Sequence, residues 1–441
     1  MIGLLFFSLL VGFISEISGQ EADLFADDDQ LNAPTAATVL PDSVNMIWSG
    51  LFDMRAVSTG KAIPWQKGGT NLTRYGGIDT DHDGTGDRGS LEFQVSQASL
   101  VAEVLVSGKV GAHLQFNYDD PYDGSQSNGR LGVAEGYLLY ERNPGEHQQL
   151  KVRMGRLFPP ISLEHPGTAW STRYSITPSA LNTWVGEELK PAAVEMAWRY
   201  DYAPYSHLDI TLAPFSGNDP AGEILSWRGW ALHDYQSTVG GRLKFYSETP
   251  ATISPQNQWG EPFKEMDGRL GVYGKIGWTP SAQWHFNSFY FNSLSDPKIK
   301  DTKNEYSWQT EFTVVSFQLQ PVLSLTLLGQ AASGNTFMGN PENPGVDNDF
   351  NTWYLMASYD YEAHRITLRH DSFAVKDLDS YPYDDNNSEG TANTVAYFFR
   401  AGEFYQVGLE YLNIQSERYL SPDLTQDPED TLYQLMLRMV F

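Results

Sequence analysis

From about Val44 to the last residue, apolar and polar side chains alternate with a period of two. Within 110–118, Val110, Ala112, Leu114, Phe116 and Tyr118 share one face, opposite Gly111, His113, Gln115 and Asn117. In 364–371, Ile366 and Leu368 oppose Arg365, Thr367, Arg369 and Asp371. In 405–412, Tyr405, Val407, Leu409 and Tyr411 oppose Gln406, Gly408 and Glu410. In 305–312 the same rule puts Tyr306, Trp308, Thr310 and Phe312 on the apolar face, against Glu305, Ser307, Gln309 and Glu311. The chain closes on this rhythm, with Tyr433, Leu435, Leu437, Met439 and Phe441 on one face and Gln434 and Arg438 on the other.

A period of two is that of a strand with one face in each environment. About seventeen such segments occur, roughly 8–13 residues each, and no long helical pattern interrupts them. About ten residues at ~3.4 Å each, tilted, cross the hydrocarbon of a bilayer. In lipid every backbone group must be paired within the protein, so a spanning sheet has to close on itself. The expectation is an all-β fold, a transmembrane antiparallel up-and-down β-barrel of 16 strands, with 18 as the alternative. In such a barrel the segment ending in Phe441 is the last strand, zipped to the first.

Connection lengths repeat the message. Tight links at 107–109, 142–147, 202–206, 279–282 and 362–365 alternate with long ones at 59–89, 119–130, 157–191, 248–268, 333–350, 374–393 and 415–430. Short periplasmic turns and long external loops are the outer-membrane pattern. Counting from the two ends gives conflicting parity between about 215 and 238, so either 223–235 is an extra strand or one of the counted segments is not a strand. Aromatic residues near segment ends (Trp48, Tyr118, Tyr137, Trp198, Trp278, Trp284, Trp353, Tyr411) suit interfacial girdles. A soluble sandwich or solenoid is the competing account of the alternation, and it explains the regular turn lengths less well.

Composition narrows the function. Formal charge is −26, from 29 Lys plus Arg against 55 Asp plus Glu, which excludes a nucleic-acid partner. Cysteine is absent, as suits an oxidising compartment. Residues 1–19 read as a signal peptide, 20–43 as a flexible acidic leader, and 44–441 as the barrel. Past residue 19 no run of 18 apolar residues remains, so no helix spans a membrane.

Candidate chemistry is sparse. Segment 157–191 carries Glu164, His165, Arg173, Glu187, Glu188 and Lys190 among prolines and aromatics. Folded inward it would constrict the barrel, with Arg173 facing Glu187 and Glu188 across the opening. Asp79, Asp81, Asp83 and Asp87 fall at positions 1, 3, 5 and 9 of a calcium-loop spacing, with Gly84 at 6. Ser90 stands where the bidentate Glu belongs, so calcium is a weak structural candidate and no other cofactor is expected. The acidic loops 377–390 and 421–430 would enrich cations at the outer mouth. No nucleophile elbow, zinc-protease or phosphate-loop motif occurs, which argues against an enzyme.

Residues 152–200 and 215–236, together with the terminal alternation ending in Phe441, resemble proteobacterial porin-like proteins placed near the phosphate-selective porins O and P. The resemblance implies a 16-stranded barrel, usually trimeric, with an internal loop narrowing the pore and solutes passing by diffusion. The C-terminal strand is similar to the signal read by the barrel assembly machinery. Phosphate selectivity in that group rests on arginine ladders and a lysine cluster. Here the lumen-facing basic candidates are few: Lys151, Arg153, Arg199, Arg365, Arg369 and Arg438. The expectation is therefore a porin of the outer membrane of a Gram-negative bacterium, in contact with lipid and lipopolysaccharide and homotrimeric. It would pass small hydrophilic solutes or ions with weak cation preference. The alternatives are a non-conducting adhesin or receptor and an anion- or phosphate-selective porin.

Overall fold

Alternation becomes a wall. In the computed structural model, which describes residues 44–67, 69–81, 86–106, 108–118, 131–244, 259–380, 385–421, 424–426 and 429–441, sixteen antiparallel strands close into one barrel. Residues 1–19 and 20–43, expected to be a signal peptide and an acidic leader, lie outside the described residues. The barrel begins with β1 (Val44–Thr59), β2 (Leu91–Val106), β3 (Val110–Tyr118), β4 (Leu131–Gly145), β5 (Gln148–Arg156), β6 (Ala192–Ala203) and β7 (Ser206–Ser216). Two short strands outside the wall, β8 (Leu243–Lys244) and β9 (Trp259–Gly260), pair with each other. The wall resumes with β10 (Gly271–Ser281), β11 (Trp284–Asn292), β12 (Gln309–Val322), β13 (Leu325–Asn340) and β14 (Asn343–Tyr361). It continues with β15 (His364–Asp377), β16 (Ser388–Arg400) and β17 (Tyr405–Ser421). After the short β18 (Leu424–Gln426), β19 (Glu429–Val440) pairs with β17 and then with β1, from Thr59↔Leu432 to Leu51↔Val440. That last ladder removes the free edges an open sheet would expose to lipid.

The outward face is apolar. Leu212, Ile276, Val315, Leu355, Leu368, Leu409 and Leu435 are all exposed and point away from the lumen, as lipid contact demands. Rings border this belt, with Trp278, Trp284 and Tyr359 near the short turns and Tyr290, Trp353, Tyr411 and Tyr433 toward the long loops.

Three expectations need correction, and one open question is answered. Phe312 faces inward and is 1% exposed, while Glu311 points outward and accepts hydrogen bonds from Tyr290 and Asn292 at 2.9 Å each. Both faces of β12 carry apolar residues, so alternation alone could not say which one meets lipid. Tyr137 also faces inward, stacked on His113 with ring centroids 4.8 Å apart. The long link expected at 333–350 is strand: β13 and β14 run on to the pair Asn340↔Asn343. Finally, 223–235 is no strand. It opens with a helix and continues as buried coil, which settles the count at sixteen.

Candidate functional site: an occupied lumen

Among the described residues, three connecting segments turn into the barrel instead of standing outside it: 60–67 with 69–78, 157–191 and 217–244. The second carries α1 (Ala180–Glu188), every residue of which is buried. Its N-terminus is defined by Ser179, whose side chain accepts from the Asn182 amide. Glu164 reinforces this cap by accepting from the Ser179 amide at 3.0 Å. The third carries α2 (Glu223–Arg228), which starts after Gly222 at φ 96°, a conformation that favours glycine.

The wall grips segment 157–191 through its backbone. Arg369 donates to the carbonyls of Thr177 at 2.7 Å and Pro178 at 3.0 Å. Arg438 donates to the Thr172 carbonyl at 2.9 Å and Arg365 to that of Arg173 at 3.0 Å. Glu410 accepts from the amides of Ile176 at 2.6 Å and Thr177 at 3.0 Å. Loop backbone buried inside a barrel loses its water, and these side chains replace it. The charges are themselves compensated: Arg369 by Asp371 at 2.7 Å, Arg438 by Asp53 at 2.8 Å, and Arg365 by Asp360 at 2.6 Å.

On the other flank the contact is aromatic. Trp184 of α1 meets Phe312 at 5.0 Å, Phe350 at 5.3 Å and Trp230 at 5.8 Å between ring centroids. Phe215, Tyr273, Phe289 and Phe291 extend this core over the inward face of β7, β10 and β11. A lumen of water would leave such rings wet; here they are buried.

The three segments are also joined to one another. Glu187 receives two bonds from Arg228, at 2.9 and 2.7 Å, and His233 lies 2.9 Å away. The Arg228 guanidinium stacks 4.3 Å above the Trp65 ring, bringing in the first segment. Burial works to raise the Glu187 carboxyl, but Arg228 and His233 outweigh it and bring it to about 2. Its neighbour Glu188, without a cation of its own, is pushed up to about 7 by burial, while accepting bonds from Ile224 and Trp184. Asp234 is held near 2, burial notwithstanding, by Arg55 and Arg74. Arg55 reaches it at 2.6 Å.

Toward the short turns the lumen is polar and wetter. Along β2 to β7 the inward residues form pairs: Glu103 with His113 at 2.9 Å, Lys151 with Glu141 at 3.4 Å, and Arg153 with Glu195 at 2.7 Å. Arg199 with Asp201 at 2.8 Å and His207 with Asp209 at 3.2 Å continue the series. Arg199 and Asp201 are each about one-third exposed at the side chain, which marks the mouth of a vestibule.

The residues expected at the site thus divide. Lys151, Arg153, Arg199, Arg365, Arg369 and Arg438 all sit on the inward register, each beside a carboxylate. Arg173 does not face Glu187 and Glu188 across an opening. The two glutamates are buried against Arg228, Trp184 and α2, whereas Arg173 lines a cavity lower down with His285 and Gln318. Sequence reasoning missed Asp53 and Arg55, and placed Asp371 and Glu410 on the polar face without giving them a role. Opposite charges two apart, as in Asp53/Arg55 and Arg369/Asp371, share one face of a strand, and that spacing is the signal that could have found them. Asp79, Asp81 and Asp87 bring carboxylate oxygens within 4.8 Å of one another, and Asp83 lies outside the described residues. A second such group, Asp219 with Glu265 and Asp267, was not foreseen.

No protein-family model matches the sequence, and no curated protein matches it. Solved structures do match. The anion-selective porin from Comamonas acidovorans superposes with a TM-score of 0.53 at 10% identity, over 90% of this chain and 100% of that one. A loop L8 deletion mutant of OmpT, an outer membrane protein of Vibrio cholerae, gives 0.50 at 9% identity, over 91% and 100%. Fold and lumen together define a sixteen-stranded transmembrane β-barrel of porin architecture with inward-folded loops.

Proposed function

We propose that this chain is an outer-membrane porin of a Gram-negative bacterium, a narrow channel through which small hydrophilic solutes or ions diffuse. One observation carries the reading: a loop bonded across the lumen to a row of wall charges, above a vestibule whose Arg199–Asp201 pair is about one-third exposed. A strapped loop narrows a barrel without sealing its polar side, and paired fixed charge replaces part of a solute's hydration. The finer likeness to the phosphate-selective group supports the fold of this reading but not its specificity, because each arginine named above on a wall strand has a carboxylate partner. Weak cation preference follows from the acidic balance of the chain. The proposal also includes a homotrimer in contact with lipopolysaccharide, delivered by the assembly machinery through β19. It includes no cofactor, and no transport step runs through the aspartates of 79–87.

Purified protein in planar bilayers under a salt gradient tests this. Stepwise conductance with a small cation-positive reversal potential is expected, and clear anion preference overturns the selectivity. The aromatic packing of Trp184, Phe312 and Phe350 favours a second reading, a non-conducting barrel that acts as a receptor or adhesin through its long loops. A silent bilayer with correctly folded protein would decide for that one.

A further inference from the structure

Between segment 162–174 and the inner wall, on the side of the short turns, lies a cavity of about 200 Å³. The wall brings Gln318 and Gln320 to it from β12 and Gln283 from the turn before β11, while the loop brings Leu163 and Tyr174. Gln318 and Gln320 are two apart and so point to the same side, and the Gln320 backbone N–H donates to the Gln283 carbonyl at 2.8 Å. Along β4 to β6 the inward polar residues are spent on one another, as in Lys151 with Glu141, Arg153 with Glu195 and Arg199 with Asp201. Here, among the described residues, no group bonds the side-chain amides of Gln318 and Gln320. Two carboxamides on the lumen wall thus keep their hydrogen-bonding capacity for another molecule.

We propose that this cavity is a binding site for a neutral sugar ring, a hexopyranose, held by Gln318 and Gln320. A carboxamide carries one acceptor oxygen and two N–H donors. A hydroxyl likewise gives a bond and takes one, so neighbouring hydroxyls of a sugar match an amide edge donor for acceptor. Same-face residues two apart on a strand are ~7 Å from each other, so the two amides reach different hydroxyls of one ring. Leu163 and Tyr174 supply apolar surface to the C–H face of the sugar, and the Arg365 guanidinium steadies the Tyr174 ring from 5.1 Å above its centroid. At about 15 Å³ per water position, the space admits on the order of a dozen non-hydrogen atoms, the size of a monosaccharide.

The lining favours an uncharged ligand. None of the described residues lining the cavity is acidic, so an ammonium group finds no anchor. Arg173 also borders it, but has a partner of its own. His165 is stacked on Trp170 at 3.6 Å and bonded to Ser162 at 2.7 Å, and burial brings its imidazole down to about 3, so it is neutral. The Thr279 hydroxyl is taken by His285 at 2.7 Å. Neutral amides hold a solute loosely enough for it to leave again, as passage requires. As a stop on a diffusion path the site rests on the porin reading above, whose solutes it narrows to sugars.

Saturation-transfer NMR of the full chain, in a detergent without sugar headgroups and titrated with glucose, tests the proposal. Glucose should bind saturably, and neither cyclohexanol nor benzoate should displace it. Gln318→Leu with Gln320→Leu should weaken glucose at least about tenfold, a difference of about 1.4 kcal/mol. Gln318→Asn with Gln320→Asn keeps the wall polar but shortens both amides, and should weaken it several-fold. Gln149→Leu, at an exposed position on β5 outside the cavity, should bind glucose as the wild type does. Heat-modifiable gel migration checks that each variant folds, and the asparagine pair carries the test if the leucine pair does not. Absence of saturable glucose binding, displacement by cyclohexanol or benzoate, an unchanged affinity in the paired variants, or an equal loss in Gln149→Leu would overturn it. The measurement needs no current: glucose bound to a barrel that is silent in bilayers would keep the site and remove the channel, and a conducting barrel that ignores glucose would do the reverse.

Discussion

Arg228 donates both terminal nitrogens to the carboxylate of Glu187, at 2.9 and 2.7 Å, and neither side chain touches solvent. This pair joins two separate inward segments, so the lumen filling is one body and not two loops. Removing one partner of a buried pair costs about 3–5 kcal/mol, because the other charge is left without compensation. Arg228→Met should therefore loosen the filling while the sixteen-strand wall persists. Limited proteolysis should cut within 157–191 or 217–244 in the variant, with heat-modifiable migration retained; an uncut variant would contradict the role of the pair.

Release of the wall-side grip is testable by labelling. The chain has no cysteine, so a single introduced one reports cleanly. Ala180 is fully buried at the start of α1, near the carbonyls that Arg369 holds. A cysteine from Ala180→Cys should resist a hydrophilic maleimide in the otherwise native protein and react at least about tenfold faster with Arg369→Met added, a shift of about 1.4 kcal/mol in opening. Equal rates would show that Arg369 does not hold the loop.

The lipid belt makes a prediction of its own. Leu368 points outward on β15, and its neighbours Thr367 and Arg369 point inward. Leu368→Arg should cost about 2–4 kcal/mol if it lies at mid-bilayer. Urea titration of folding into lipid vesicles measures this, and a neutral result would place that face elsewhere than in lipid.

How much of this was readable beforehand depended on whether one face of a strand was uniformly apolar. β17 qualified: Tyr405, Val407 and Leu409 against Gln406 and Glu410 could be oriented from sequence. β12 did not, because Phe312 and Val314 pack on Trp184 and its neighbours while Val315 and Phe317 face lipid. The length of 157–191 and its mixture of charge and aromatics allowed an inward turn but suited an external loop with solvated charges equally well. The partners of Glu187 were not foreseeable, because Arg228 is 41 residues away, on a segment whose strand character was itself in question. Long-range pairing between loops leaves no periodic trace.

Lys190 supplies a pH dependence. It is buried 4.4 Å from the Phe158 ring centroid and donates to the Ser237 carbonyl. Burial, offset in part by Glu135 and increased by Arg156, lowers it from 10.5 to about 7. The folded state thus refuses a proton that the unfolded state binds between pH 7 and 10.5, so this group's contribution rises with pH across that window. Below pH 7 both states are protonated and the penalty is constant. Thermal melting of the wild type relative to Lys190→Met should show a gap that narrows from pH 7 to 10; a constant gap would contradict the buried, proton-poor lysine.

The central claim is that segment 157–191, strapped inside a closed sixteen-strand wall, limits passage through it. Single-channel conductance in planar bilayers, compared between the full chain and a variant with 160–189 replaced by a short glycine–serine linker, tests this most directly. The account predicts small steps from the full chain and steps several-fold larger from the variant. Steps of equal size, or silence from both, would contradict it.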